Sequence, residues 1–215
     1  MKCKVSEEWH PGLGYMGKII YLMGKSSTGK DTIYRRLMQW NGLSLKKIVL
    51  YTTRPIRTHE KDGREYFFTD ETHYQQLLKE GKIIEEREYQ TVYGPWRYFT
   101  VDDGSIDLSK GNYLVIGTLE SYIKTREYFS NDRVIPVYIE VDDGDRLERA
   151  LQRERRQQHP GYEEMCRRFL ADAKDFSVEN LEKAGITKIF ENDELERCVS
   201  EIEEYLLTVK EIFLE

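Results

Sequence analysis

The sequence predicts an α/β fold built on a five-stranded parallel sheet, and two observations carry that prediction. Short apolar runs alternate with amphipathic helical patterns, joined by short connections, along most of the 215 residues; this is how strands feeding crossover helices read. The first run, Ile19-Ile20-Tyr21-Leu22-Met23, leads directly into Gly24-Lys25-Ser26-Ser27-Thr28-Gly29-Lys30-Asp31-Thr32 and then a helical pattern. Strand, glycine-bounded loop with a terminal lysine, then helix is the context a phosphate-binding loop requires.

The elements follow in order. Residues 1–17 have no periodicity and several helix breakers, so a loose extension is expected there. After the strand at 19–23, a helix over about 30–40 puts Ile33, Leu37 and Trp40 on one face, and Asn41-Gly42 ends it. Leu45 to Tyr51 is the second apolar run, with Ile48-Val49-Leu50 at its centre. Pro55 then stops any helix and holds Arg54 extended. Arg64 to Phe68 reads as a strand, 70–80 as a short helix closed by Gly81, and 82–89 and 96–101 as two further strands. Antiparallel strands with one helix, placed between longer α/β elements, predict a small inserted subdomain. A turn near 107–110 precedes core strand 113–116, a helix at 119–129 and core strand 134–141. Two helices follow, an arginine-dense one over 145–158 and another over 162–175, separated by His159-Pro160-Gly161. A fifth core strand is expected at 186–190 and a last helix at 194–213.

Composition narrows the function classes. Charged residues make up 33% and the net charge is −6, which argues against a general nucleic-acid binder. No apolar run approaches the roughly 18 residues of a membrane span, and Met1 to Tyr15 carries no signal-peptide pattern. The three cysteines, Cys3, Cys166 and Cys198, are odd in number and far apart; they suit a reducing cytoplasm and have no metal-ligand spacing. His10, His59, His73 and His159 read as surface residues, and nothing supports a Ser-His-Asp or Cys-His centre.

An anionic ligand must then be held by local cations. In the glycine loop, Gly24 and Gly29 let successive N–H groups turn inward, and the following helix adds its unpaired N–H groups and dipole. Lys30 would reach the β- and γ-phosphates. The motif expects Ser or Thr next, to ligate Mg2+, but this chain has Asp31 and then Thr32. Asp31 therefore either holds Mg2+, directly or through water, or caps the helix. Arg54 and Arg57 flank Pro55 after a strand, and two guanidinium forks there can grip one phosphate, unless they are simply surface arginines. Tyr66 and Tyr93 could add hydroxyl donors. Glu85 is either a solvated strand residue or a base reader, since one carboxylate accepts both adjacent donors of guanine, N1–H and the amine. The arginines between 146 and 168 form either a solvated face or a lid that closes on phosphates; the weight of Arg over Lys favours the lid.

The order of Gly24 to Thr32, Thr52-Thr53-Arg54-Pro55-Ile56-Arg57, Gly63-Arg64-Glu65-Tyr66-Phe67-Phe68, Gly81-Lys82-Ile83-Ile84-Glu85 and Tyr93-Gly94 resembles the guanylate kinase family from about residue 18 to 206. The Thr-Thr-Arg-x-x-Arg segment is the more specific part, because many nucleotide-binding proteins share the glycine loop. The resemblance implies one domain over 18–215: a P-loop nucleotide kinase core (18–51, 102–142, 169–215), a nucleoside-monophosphate subdomain (52–101) and a helical lid (143–168). It implies transfer of the γ-phosphate of MgATP to GMP, with nucleotides as partners and neither nucleic acid nor membrane.

By position, Arg54, Arg57, Tyr66 and Tyr93 match the monophosphate clamp, Glu60 an acidic residue after it, and Glu85 the guanine reader. Arg149, Arg153 and Arg168 match arginines that reach the phosphates, and Asn192-Asp193 the loop by the adenine. The departures concern the acceptor. Leu50 and Tyr51 stand where small hydroxyl residues are common, Pro95 where a Ser or Thr contacts guanine, and Thr118 where an Asp gives the base a second carboxylate. Gly117 and its neighbours lack an acidic, metal-associated residue. The resemblance also leaves two alternatives: a non-catalytic binding module of this fold, or the same phosphotransfer to another nucleotide or a ribosyl phosphate.

Overall fold

The computed structural model describes residues 16–91 and 94–212. Its core is a five-stranded sheet made of β1 (Ile19–Met23), β2 (Leu45–Lys47), β7 (Asn112–Ile116), β8 (Val134–Glu140) and β9 (Ile189–Glu191). The order is β2-β7-β1-β8-β9, and every pairing is parallel. Each strand is followed by chain that must cross over before the next can join, so β1 comes to lie centrally, with β7 on one side and β8 on the other. The strand order reverses at β1, and the crevice at the carboxyl ends of the strands there is where such sheets take ligands.

Side chains alternate across β1. Ile19, Tyr21 and Met23 face one buried layer with Tyr113, Val115, Tyr122 of α3 (Leu119–Phe129) and Phe176. Ile20 and Leu22 face the other, against Ile33 and Leu37 of α1 (Lys30–Gln39) and Cys198, Ile202 and Leu206 of α7 (Leu195–Ile212). Covering both faces explains why all five residues of β1 are buried.

A second sheet runs β4 (Phe67–Phe68), β3 (Tyr51–Thr52), β6 (Gly94–Val101), β5 (Ile83–Thr91). Tyr74 and Leu77 of α2 (Glu71–Lys79) pack with Phe99 and Val101 on one face. The opposite face carries Glu85 and Arg87, which lie across from Thr100 and Tyr98. The ladder shifts register between Ile83 and Glu85. Such a bulge re-aims the side chain beside it, here a carboxylate.

Some expected boundaries move. The apolar run 45–51 is not one strand: Leu45–Lys47 pairs with β7, and Tyr51–Thr52 belongs to the second sheet. Ile48 to Leu50 is the crossing point, with the Ile48 N–H donating to Leu114 O at 3.4 Å and Leu50 O accepting from Phe67 N at 2.9 Å. These residues are apolar because they lie at the junction of two sheets. The strand expected at 64–68 shortens to Phe67–Phe68, and the one at 186–190 moves to Ile189–Glu191. Ile186 is still buried, beneath α6 (Val178–Lys183), a short helix with too few turns to show an apolar period in the sequence. The arginine-dense helix is α4 (Asp143–Arg155), starting two residues early because Asp142 accepts from Gly144 N at 2.8 Å and caps it. Next comes α5 (Tyr162–Asp175). No helix among the described residues is long and apolar enough to cross a membrane. The looseness expected of residues 1–17 concerns mostly residues outside those described.

Candidate active site

The loop between β1 and α1 closes back on itself. Gly24 has φ +153°, and a Cβ there would stand 2.3 Å from Ile139 O. Gly29 has φ +86°, and a Cβ there would stand 2.6 Å from Asn192 Nδ2. Both glycines are therefore required by conformation and by close approach. Between them Ser27 holds the left-handed region at φ +66°, with its buried hydroxyl oxygen unpartnered among the described residues. Residues held in such conformations cluster at ligand sites.

Lys30 folds over the loop, its ammonium donating to Lys25 O at 2.6 Å. Burial pushes its pKa down to about 8, against the smaller opposing pull of Asp172 and Asp31. Thr28 is fully buried, and its carbonyl accepts from Asn192 Nδ2 at 2.7 Å. Asn192, expected beside a base, thus holds the loop from beneath. Its own carbonyl accepts from Arg149 at 3.2 Å, tying α4 to the same point. Replacing Asn192 by alanine strands a buried carbonyl and is expected to cost about 1–3 kcal/mol. Thermal unfolding should show a midpoint several degrees lower; an unchanged midpoint would mean that Asn192 does not brace the loop. Asp193 is exposed and ion-paired with Arg197, which lowers its pKa. It borders a cleft of about 450 Å³ with Lys25, Asp142, Asp143, Asp145 and Glu191.

Asp31 lies in the first turn of α1, but α1 is capped by Gly29 with no side-chain bond, so the capping alternative falls. Its carboxylate has no hydrogen bond or ion pair among the described residues, and these include no group of three or more His, Cys, Asp or Glu that could hold a metal. Thr32 faces Arg35, whose guanidinium donates to its hydroxyl at 3.3 Å.

The lid arginines divide in two. Arg153 and Arg168 are half exposed and line one small cleft with Ser26 and Ser27 of the loop. Arg146, in sequence one arginine of the cluster among several, is 1% exposed. It donates to Ser26 O at 3.0 Å, pairs with Asp143 and, at 3.4 Å, with Asp172, and lies 4.7 Å over the Phe169 ring. Asp172, on α5, also accepts from Ser26 N at 2.6 Å. A carboxylate thus occupies one of the amides of the loop. Sequence spacing carries no sign of this pairing, 146 residues apart.

The second sheet presents the other half. Arg54 is 3% exposed and flanked by the rings of Tyr66 and Phe68. Its fork grips Glu60 at 2.7 and 3.0 Å, which raises the arginine pKa and lowers that of Glu60. Arg57 is exposed and its guanidinium has no ion pair among the described residues, while its N–H donates to Glu60 at 2.9 Å. The Tyr66 ring meets Tyr98 edge-on at 5.5 Å. Tyr93 lies outside the described residues.

Glu85 is not a solvated strand residue. It is 3% exposed, Oε1 accepts from Thr100 at 2.7 Å, and buried Oε2 has no hydrogen-bond partner among the described residues. Burial pushes its pKa up. Across from it, Tyr21 of β1 donates to Ser121 at 2.7 Å; a Cβ on Gly117 would stand 2.1 Å from that hydroxyl, so a small residue is needed where an acidic one was expected. Thr118 is spent on structure: its hydroxyl accepts from Ser121 N at 3.2 Å in a reciprocal cap of α3, which accounts for it without a ligand.

Comparisons with known proteins agree on one family. The family model described as guanylate kinase matches residues 16–101. The guanylate kinase of Mycoplasma mobile is 31% identical over 196 residues, 88% of this chain and 92% of that protein. That of Anaplasma phagocytophilum is 30% identical over 140 residues, 63% of each chain. The crystal structure of guanylate kinase from Anaplasma phagocytophilum superposes with a TM-score of 0.59 at 21% identity, covering 90% of this chain and 86% of that one, a likeness of fold.

Proposed function

This chain belongs to the guanylate kinase family of nucleoside monophosphate kinases, and from that premise we infer that it transfers the γ-phosphate of ATP to GMP, giving ADP and GDP. The glycine loop and Lys30 take the donor, and the inner face of the second sheet takes the acceptor. The observation that carries this reading is the pairing of two half-made sites. One is a glycine loop under a half-buried lysine; the other is the second sheet, with a buried, unpartnered carboxylate oxygen on Glu85 and, just after β3, the guanidinium fork of Arg54.

Phosphoryl transfer asks the protein for position and positive charge rather than for a covalent intermediate. The loop amides and Lys30 hold the donor phosphates. Arg54 and Arg57 hold the acceptor phosphate, with Tyr66 and Tyr93 beside it. Arg153 and Arg168, in the cleft with Ser26 and Ser27, meet the moving group, while Arg149 and Arg146 brace the lid against the loop. The cleft bordered by Asp193 takes the adenine, whose amine suits its acidic wall. Glu85 accepts from the guanine.

Mg2+ arriving with ATP would draw charge from its phosphates, and Asp31, an exposed carboxylate without a partner among the described residues, is the residue that would hold it. Asp31→Ser is then expected to raise the Mg2+ concentration needed for half-maximal rate severalfold; an unchanged titration removes Asp31 from that role. Free Cys166 and Cys198 fit a reducing cytoplasm.

The deciding experiment is ADP release by the purified protein with MgATP and a panel of GMP, dGMP, AMP, CMP, UMP and ribose phosphates. Turnover with GMP above the rest is expected. Preference for another acceptor would displace GMP, and no turnover with any would make the chain a binding module.

A further inference from the structure

Arg87 is a charge that the phosphotransfer above does not use. It lies two residues after Glu85 on β5, hence on the same inner face, opposite Tyr98. Its side chain is 15% exposed, and its Nε is buried with no hydrogen bond among the described residues. Among the described residues its ion pair is with Glu85, with Nε 3.5 Å from the same Oε2, which has no hydrogen-bond partner there. At that separation the pair attracts but makes no hydrogen bond. A buried acceptor and a buried donor are therefore left side by side, each with capacity unspent. Buried polar groups in native proteins are rarely left so, and such a pair points to an absent partner.

The missing partner must offer donors to Glu85 and, next to them, acceptors to Arg87. A guanine edge does this. Its N1–H and amine donate, and O6 with N7 lies alongside as the acceptor pair that one guanidinium contacts bidentately. Pro95, on the neighbouring strand, has neither an N–H nor a hydroxyl to give O6.

We propose that Arg87 is a specificity-determining residue which, with Glu85, reads the acceptor guanine, donating to O6 and N7 while Glu85 accepts from N1–H and the amine. This rests on the GMP reading above. It requires the base to slot beside the Glu85–Arg87 pair on the face turned to the core, where Tyr21 of β1 lies near both charges.

The test compares GMP with its 6-thio analogue, whose sulfur is a weak hydrogen-bond acceptor, by calorimetry and turnover in wild-type protein and Arg87→Met. The wild type should prefer GMP, and Arg87→Met should weaken GMP by about 30-fold, a fair share of what a bidentate guanine contact supplies. The thio analogue should lose only a few-fold, so the preference collapses. If Arg87 only neutralises Glu85, both nucleotides weaken alike and the loss shrinks as pH rises and Glu85 ionises; that result overturns the proposal. Arg87→Lys, which keeps the charge but not the fork, should fold as the wild type and recover GMP binding only in part. A wild-type protein that does not turn over GMP would instead overturn the underlying reading together with this one.

Discussion

Replacing Lys30 by alanine is expected to lower turnover by about a hundredfold or more, the usual loss when one preorganised donor to developing charge is removed. GMP should still bind, because Lys30 opens α1 beside the glycine loop and the acceptor face is on the second sheet. Near-normal turnover in the variant would sink the donor half of the mechanism. Lys30 has a second, independent signature. Burial lowers its pKa to about 8, so at pH 8.5 most ligand-free molecules lack the proton. A triphosphate beside the amine favours the charged form and raises the pKa again. ATP binding at pH 8.5 should therefore take up a proton, seen as a binding heat that varies with buffer ionisation enthalpy. Lys30→Met should remove that dependence; if it persists, another group titrates.

Arg54→Ala is expected to weaken GMP by about a hundredfold, since a bidentate, charge-assisted contact to the acceptor phosphate is lost. Turnover at saturating GMP should fall less. Calorimetry in the absence of ATP isolates the effect, and unchanged GMP affinity would refute the clamp. Arg54 also donates to Pro55 O at 2.8 Å, so the alanine variant loosens the segment as well. Arg54→Lys controls for this: it retains charge but has no planar fork, and it should recover only part of the affinity.

Much of this molecule is legible in its sequence where local chemistry decides. The helices at Leu119–Phe129 and Tyr162–Asp175 fall where the periodicity puts them, because an apolar stripe and a capping Thr118 in one case, and Pro160-Gly161 in the other, are written locally. The run at 45–51 is not legible, because apolarity reports burial and not which of two sheets does the burying. The glycine loop, Lys30, Arg54 and Glu85 are visible as residue types in a motif. Arg146, Asp172 and Arg87 are not. Arg146 and Asp172 meet the loop across 120 and 146 residues, and such contacts leave no spacing to find. Charges at i and i+2 on a strand, like Glu85 and Arg87, ordinarily mean a solvated face; only the bulge beside Ile84 and the packing of the second sheet on the core turn that face inward.

Glu60 on Arg54 and Asp172 on the Ser26 amide place one carboxylate at each of the two proposed phosphate positions. On the proposed assignment each substrate would enter by exchange, its phosphate displacing a side-chain carboxylate rather than filling a vacant cationic hole. The affinity would then be a difference between two anions, which keeps it modest. Because each resident carboxylate already neutralises part of the cationic field there, nucleotide capture by this enzyme should depend on salt less steeply than its many arginines suggest.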